Sequence, residues 1–415
     1  MMLLTGCAGA IGAAPTMAAP IVVPGLPPVC VFGCAPSNPG SPSGPAPTPA
    51  PTSPAAPALP PPDNAIPRCS VRGRVARAAP AGPSTQRRAF GEHASLRYFS
   101  GRSLCRRADL TRAAGVRYVR EDANWGEIEA HRGRFDWRRM DEVFGVAAQY
   151  GLTVLPVPDA PPRWAGPSER NLPDDIVAYA GLTARVAARY GPGGTFWVRH
   201  PRLPYRPARY IELYNEPYYP EFSGGHPDPA RYARLVAAAV PAGRLANPSV
   251  RFLIAGESTY TPDGGHTFGN WIEGMYAAVP GFGRLFDGIA VHPYSDPAPP
   301  TFYDPTSGAL QARRLERVRA ALVAHGDAAK HLWVTEVGWS TCPSSCVNER
   351  QQAADLRSFF HLTRTRWRSY VDAVFVYALQ DYRTSPVREG HFGVLRLNGS
   401  QKPAWSALRS AARRG

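Results

Sequence analysis

From residue 88 onward the chain alternates between two patterns of apolar residues. Short runs rich in Val, Ile, Phe and Tyr read as strands. Longer runs repeat apolar residues every three or four positions and close on glycine, as amphipathic helices do. Residues 89–91 open a first strand. Leu104 to Ala114 reads as a helix stopped by Gly115, and 116–120 as a second strand. A helix from Trp137 to Tyr150 carries Met140, Val143, Phe144 and Ala147 on one face and stops at Gly151. Strand 152–157 and helix 176–190 follow, the helix ending at Gly191. Next come a strand from Tyr210, a helix over 229–239, strand 251–256 and a helix near Trp271. Strand 287–292, a long arginine-rich helix over 311–325, a strand from Leu332 and a helix over 349–366 continue the pattern. Strand 374–378 and helix 404–413 close it.

Eight strands alternating with helices over 88–415 predict an α/β chain folded as a (β/α)8 barrel. The alternative is a doubly wound sheet, which a glycine-rich phosphate turn after the first strand would favour; the sequence has none there.

Ahead of the barrel the composition changes. Residues 1–20 are small and apolar and read as an export signal, although the expected basic start is missing. Leu4-Thr5-Gly6-Cys7 also resembles a lipobox, which would lipidate Cys7. Residues 21–87 read as a disordered linker, with Pro, Ala, Ser, Thr and Gly dominating from about 35 to 62. Such a segment has little to bury and favours extended polyproline II, which suits a spacer on a cell envelope. The expectation is a secreted or cell-surface monomer.

Composition adds two points. The net charge is +15, almost all of it from arginine. The arginines are spread along the chain without a dense run, so the balance reads as compositional bias and not as a nucleic-acid site. An acidic polysaccharide is the alternative anionic partner. Of seven cysteines, Cys30/Cys34 and Cys342/Cys346 share one spacing, with no histidines at zinc-finger distance. Cys342–Cys346 reads as a disulfide-closed loop, and Cys69 and Cys105 can pair; disulfides imply an oxidising compartment.

The candidate chemistry lies at strand ends. Tyr210-Ile211-Glu212-Leu213-Tyr214-Asn215-Glu216-Pro217 is an apolar run that delivers Glu216 and stops at Pro217. Leu332 to Trp339 has the same form and delivers Glu336 ahead of Gly338. Barrel enzymes place their reacting groups at strand C-termini. Two such glutamates suggest the carboxylate pair of a glycosidase. Arg120, Asp159, Trp164, His292 and Tyr294, and Gln380 with Asp381, also fall near strand ends. Glu212 reads as structural inside the barrel, and Glu257 as a loop carboxylate. Trp125 is either core or a sugar-stacking platform, whereas Trp164 and Trp339 read as substrate-binding platforms. The loops 192–208 and 296–310 are expected to shape the cleft.

Asn215-Glu216-Pro217, His292-Pro293-Tyr294 and Thr335-Glu336-Val337-Gly338-Trp339 together resemble the retaining glycoside hydrolases of clan A. Gly115 to Arg120 and Phe392-Gly393-Val394 look most like families 39 and 5. The resemblance implies Glu216 as acid/base, Glu336 as nucleophile and Asn215 as the partner of the sugar 2-hydroxyl. It also implies Tyr294 as a hydrogen-bond donor to the nucleophile, with His292 beside it; on chemical grounds a nearby arginine, Arg120, would favour the ionised form of Glu336. Tyr377 stands where many members carry a tryptophan platform. The substrate implied is a β-linked oligo- or polysaccharide, with no metal or organic cofactor. A barrel that binds carbohydrate without cleaving it, and a transglycosylase, are the alternatives.

Overall fold

A computed structural model describes residues 66–77, 82–83, 88–256, 271–304, 310–382 and 387–414. The readings of the export signal, Cys7, the Cys30/Cys34 spacing, the proline-rich stretch and Glu257 lie outside the described residues.

Eight parallel strands form one sheet in the order β3-β2-β1-β8-β7-β6-β5-β4. They are β1 Ala89–Glu92, β2 Tyr118–Asn124, β3 Thr153–Asp159, β4 Tyr210–Leu213, β5 Arg251–Gly256, β6 Gly288–Val291, β7 His331–Val337 and β8 Val371–Val376. β3 and β4 lie in contact across the remaining seam, so the sheet nearly closes. The helices are α1 Gly101–Ala113, α2 Trp125–Ile128, α3 Arg138–Gln149, α4 Ile176–Tyr190, α5 Thr195–Arg199, α6 Pro229–Ala246, α7 Trp271–Ala278, α8 Leu315–Ala324, α9 Glu349–Arg364 and α10 Pro403–Arg414. This is the expected (β/α)8 barrel. Among the described residues no helix is long and apolar enough to cross a membrane.

Local chemistry sets most boundaries. The side chains of Asp175, Asp228 and Asn348 accept hydrogen bonds from the first-turn amides of α4, α6 and α9. α6 runs through Pro241 to Ala246, past its expected end at 239. Tertiary packing overrides the proline there, because Ala238 and Ala242 pack against Ala180 and Ala184 of α4 in a buried alanine seam.

Alternation along the strands sorts side chains into two cores. Outward residues such as Val119, Ile211, Val334 and Val374 pack against the helices. Inward residues Tyr118, Leu155, Leu253, Ala290, Trp333 and Phe375, with Tyr210, plug the barrel near the strand beginnings. Two positions further along the same strands the inward residues become Arg120, Glu212, His292 and Thr335, all buried. A polar floor therefore rests on an apolar plug.

Two readings need correction. Residues 66–77 lie against the barrel and not in a free linker. Cys69 is bonded to Cys105 of α1, and Ile66 and Val71 pack on the core. Ile66 fits because residue 145 is glycine: a Cβ there would sit 2.4 Å from its Cγ2. The segment 192–208 runs between α4 and β4, so it closes the face where strands begin. It meets residues 76 and 77 there, through Arg206 to the Ala76 carbonyl and the Tyr205 amide to the Arg77 carbonyl. It does not shape the cleft, because a segment entering a strand lies at the opposite end from one leaving it.

Candidate active site

At the strand C-termini a cleft of about 920 Å³ opens, with Arg120, Asn215, Glu216, Tyr294, Glu336 and Tyr377 among its lining residues. Two local irregularities aim its carboxylates. Between Val334 and Val337, three steps of β7 are matched by two of β8, from Val374 to Val376. The extra residue lets Thr335 and Glu336 both reach the interior although they are adjacent. Gly338 then lets β7 pass Tyr377: a Cβ there would fall 2.2 Å from the Tyr377 carbonyl oxygen. After β4 the chain turns with Tyr214 at φ +68° and Glu216 at φ +42°. Left-handed backbone at non-glycine residues is costly and concentrates at functional sites.

Arg120 organises the floor. Its Nε and Nη2 donate to the two oxygens of Glu212 at 2.9 and 2.8 Å. Its Nη1 donates to Glu336 Oε1 at 2.7 Å, and its Nη2 also to Asn215 Oδ1 at 2.8 Å. The Tyr294 hydroxyl donates to Glu336 Oε2 at 2.8 Å. His292 lies with Nδ1 2.6 Å from Glu216 Oε1 and Nε2 3.0 Å from Thr335 Oγ1, which in turn reaches Glu212. With Nε2–H donating to Thr335, Nδ1 faces Glu216 across one shared proton. A carboxylate oxygen of Glu216, a ring nitrogen of His292 and a carboxylate oxygen of Glu336 all lie within 4.8 Å of one another.

The two glutamates titrate in opposite directions. Burial pushes Glu216 up from the usual carboxylate range and the charge of Glu336 adds to it, against the pull of His292. Burial would raise Glu336 too, but the charges of His292 and Arg120 and the Tyr294 hydrogen bond outweigh it and hold Glu336 below its ordinary value. Burial disfavours the charged form of His292, yet Glu336 and Glu216 raise it. Glu216, His292 and Glu336 have the atom types of a metal site. Each atom is already engaged, however, and Arg120 brings a positive charge to Glu336, so the cluster is better matched to a proton and a cationic transition state than to a dication.

Of the expected site residues, the structure brings together Arg120, Asn215, Glu216, His292, Tyr294, Glu336 and Tyr377. Trp339 is fully buried, donates Nε1–H to the Ala298 carbonyl and packs on Phe359 of α9. Trp164 packs edge-on against buried Trp125, bonds the Glu129 carbonyl and carries Arg132 over its ring. Neither lines the cleft, because each ring is used up in packing. Gln380 and Asp381 bind Arg107 and Lys402 and are structural.

Several cleft residues escaped the sequence reading. His93 follows β1 and its ring lies 5.3 Å from that of Tyr377. Asp122 and Asn124 line the cleft because β2 continues to 124 and not 120. The alternation Arg120, Asp122, Asn124 was the available signal. Asp159, which the sequence did place at a strand end, closes β3 and lines the cleft; burial first and Asp122 second push it well up, and its Oδ1 is buried without a hydrogen-bond partner. Phe392 packs against both Tyr294 and Tyr377 at 5.6 Å.

No protein-family model matches the sequence, and no curated protein does. Solved structures match its fold. A family 39 glycoside hydrolase from the gut symbiont Bacteroides cellulosilyticus aligns with a TM-score of 0.59 and 23% identity, covering 80% of this chain and 65% of that one. A β-xylosidase from Caulobacter crescentus gives 0.56 and 19%, covering 79% and 68%. A family 5, subfamily 18 protein from Bifidobacterium longum gives 0.55 and 15%, covering 79% and 78%. The chain thus spans slightly under two thirds of the length of the family 39 protein. The likeness is one of fold: a (β/α)8 barrel of the kind clan A glycoside hydrolases use.

Proposed function

We propose that this chain is a retaining glycoside hydrolase acting on β-linked sugars. The observation that carries the reading is the pair Glu216 and Glu336, with oxygens within 4.8 Å and pKa values displaced in opposite directions. Retaining enzymes hold their carboxyls roughly 5–5.5 Å apart, whereas inverting enzymes need roughly 6.5–9.5 Å to admit a water. The matching structures support the β-linkage in their own descriptions, which include a β-xylosidase, a β-galactosidase and an exo-β-1,4-mannosidase.

In the first step a Glu336 oxygen bonds to the anomeric carbon while the bond to the leaving oxygen breaks. Glu216, sharing its proton with His292, transfers it to that oxygen. Arg120 and Tyr294 keep Glu336 ionised and oriented for attack. Esterification removes the Glu336 charge, and with it one cause of the raised Glu216 pKa. Glu216 then takes a proton from water, whose oxygen bonds to the anomeric carbon as the ester breaks. The Asn215 Oδ1 is occupied by Arg120, so its amide NH₂ is the group left to meet the sugar 2-hydroxyl. Tyr377, backed by Phe392, stands as the ring platform.

The proposal includes an extracytoplasmic location, supported by the Cys69–Cys105 and Cys342–Cys346 disulfides. It includes a monomer, since one barrel carries the whole site. The test is hydrolysis of a panel of aryl β-glycosides by the wild type, Glu216→Ala and Glu336→Ala. Glu336→Ala should lose activity by a factor on the order of 10⁴ or more, and azide should restore it with inverted product. A panel left uncut, with glycans bound equally by wild type and both variants, would favour the non-catalytic carbohydrate-binding barrel.

A further inference from the structure

Helices of this barrel end on the face where strands begin, opposite the cleft. On that face the ends of α1, α9 and α10 collect arginines that lie far apart in sequence. Arg112, in the last turn of α1, donates to the Arg74 carbonyl. A hollow of about 300 Å³ lies between Asp109, Arg112, Gly115, Arg409 and Arg413. Beside it a second hollow of about 360 Å³ is lined by Ser406, Arg409, Ser410, Arg413 and Arg414. Positions 406, 409, 410 and 413 share one face of α10. The arginines continue past the hollows. Arg364 is lowered first by burial and then by the charge of Arg414. Arg88 is lowered by burial, against Asp372, and then by Arg364 and Arg368.

These cations crowd one another with few carboxylates near: Asp109 lines the first hollow and Asp372 acts on Arg88. Among the described residues none of them makes an ion pair, although Arg189, Arg366 and Arg396 elsewhere pair with Asp141, Glu316 and Glu349. The Nη1 atoms of Arg112 and Arg364 are buried without a hydrogen-bond partner. Basic residues at helix C-termini offset the helix dipole, which accounts for Arg413 and Arg414 singly. It does not account for Arg409 in both hollows, nor for Arg88 near Arg364 and Arg368.

We propose that this face is a docking surface for a carboxylate-bearing polysaccharide, held so that the catalytic cleft points away from the polymer. Guanidinium forks match carboxylates with paired hydrogen bonds, and the hydroxyls of Ser406 and Ser410 suit the neutral sugar hydroxyls between them. Among the described residues none of the exposed large hydrophobic side chains lines either hollow, and arginine and serine make up most of the lining.

The test is binding of the full chain to fluorescent polygalacturonate across a salt series, with phosphatidylglycerol vesicles as a second arm. Binding should occur at low salt and weaken steadily as salt rises. Arg112→Glu/Arg409→Glu/Arg413→Glu should weaken it at least about tenfold. Arg234→Glu/Arg350→Glu/Arg357→Glu, which changes the net charge equally at other exposed positions, should leave it within about twofold. Should the first variant fail to fold by circular dichroism, Arg409→Gln/Arg413→Gln replaces it, with at least about a threefold loss expected. Absence of binding, equal weakening by both triple variants, or binding to the vesicles alone would overturn the proposal. Because the readout is binding, it stands or falls apart from turnover.

Discussion

Glu336 is a buried carboxylate whose ionised state rests on named neighbours. The Tyr294 hydroxyl supplies one charge-assisted hydrogen bond at 2.8 Å and Arg120 another at 2.7 Å. Such bonds contribute about 1.5–3 kcal/mol each. Tyr294→Phe should therefore lower kcat/KM about 10- to 100-fold and let the Glu336 pKa rise, moving the acid limb of the pH–rate profile to higher pH. An unmoved acid limb would show that Tyr294 acts only by packing on Phe392. The two cleft carboxylates were legible because Pro217 and Gly338 mark where an apolar run must stop. Trp164 and Trp339 were wrongly assigned to the sugar site, because a tryptophan near a strand end serves packing or stacking equally well in sequence. What decides is the backbone carbonyl each indole N–H finds: Glu129 for Trp164 and Ala298 for Trp339.

At the scale of elements, the site depends on departures from regularity. The shift in β7 turns two consecutive residues inward, and the continuation of β2 to Asn124 adds Asp122 and Asn124 to the cleft wall. A single sequence carries the strands but not these departures, since a bulge is set by the partner strand. The proline-containing half of α6 was missed for a related reason, its support coming from α4. The strap over residues 66–77 makes its own prediction. Cys69–Cys105 closes a stretch of 36 residues. Replacing both with serine should lower the unfolding free energy by about 3–4 kcal/mol in urea titration. A loss well under about 1 kcal/mol would mean that Ile66 and Val71 hold the strap unaided.

For the whole molecule, the barrel was readable from the alternation of elements, but which end a loop occupies was not. The segment 192–208 was assigned to the cleft and belongs to the opposite face, where the arginines also gather. Spread evenly in sequence, they are concentrated only by the convergence of helix ends. Burial also gives the fold a pH response. Glu92 is fully buried, and burial pushes its pKa up to about 8 with Thr111 and Arg107 only partly offsetting it; Glu121 is likewise at about 8, mainly through burial. Between roughly pH 4.5 and 8 the folded state then holds protons that the unfolded state has released, so stability falls as pH rises through that window. Glu92→Gln keeps the neutral shape. It should match the wild-type Tm near pH 4.5 and exceed it by a few degrees at pH 8; equal Tm values at both would place the pH response elsewhere.

We propose that Glu336 forms a covalent glycosyl ester with Glu216 as its acid/base partner. The most direct measurement incubates the protein with a 2-deoxy-2-fluoro-β-glycoside bearing an activated leaving group, chosen for the sugar that the aryl glycoside panel identifies, and maps the adduct by peptide mass spectrometry. We expect one fluoroglycosyl unit on the peptide containing Glu336, and none in Glu336→Gln. A label on Glu216, or turnover with no label and inverted product, would contradict it.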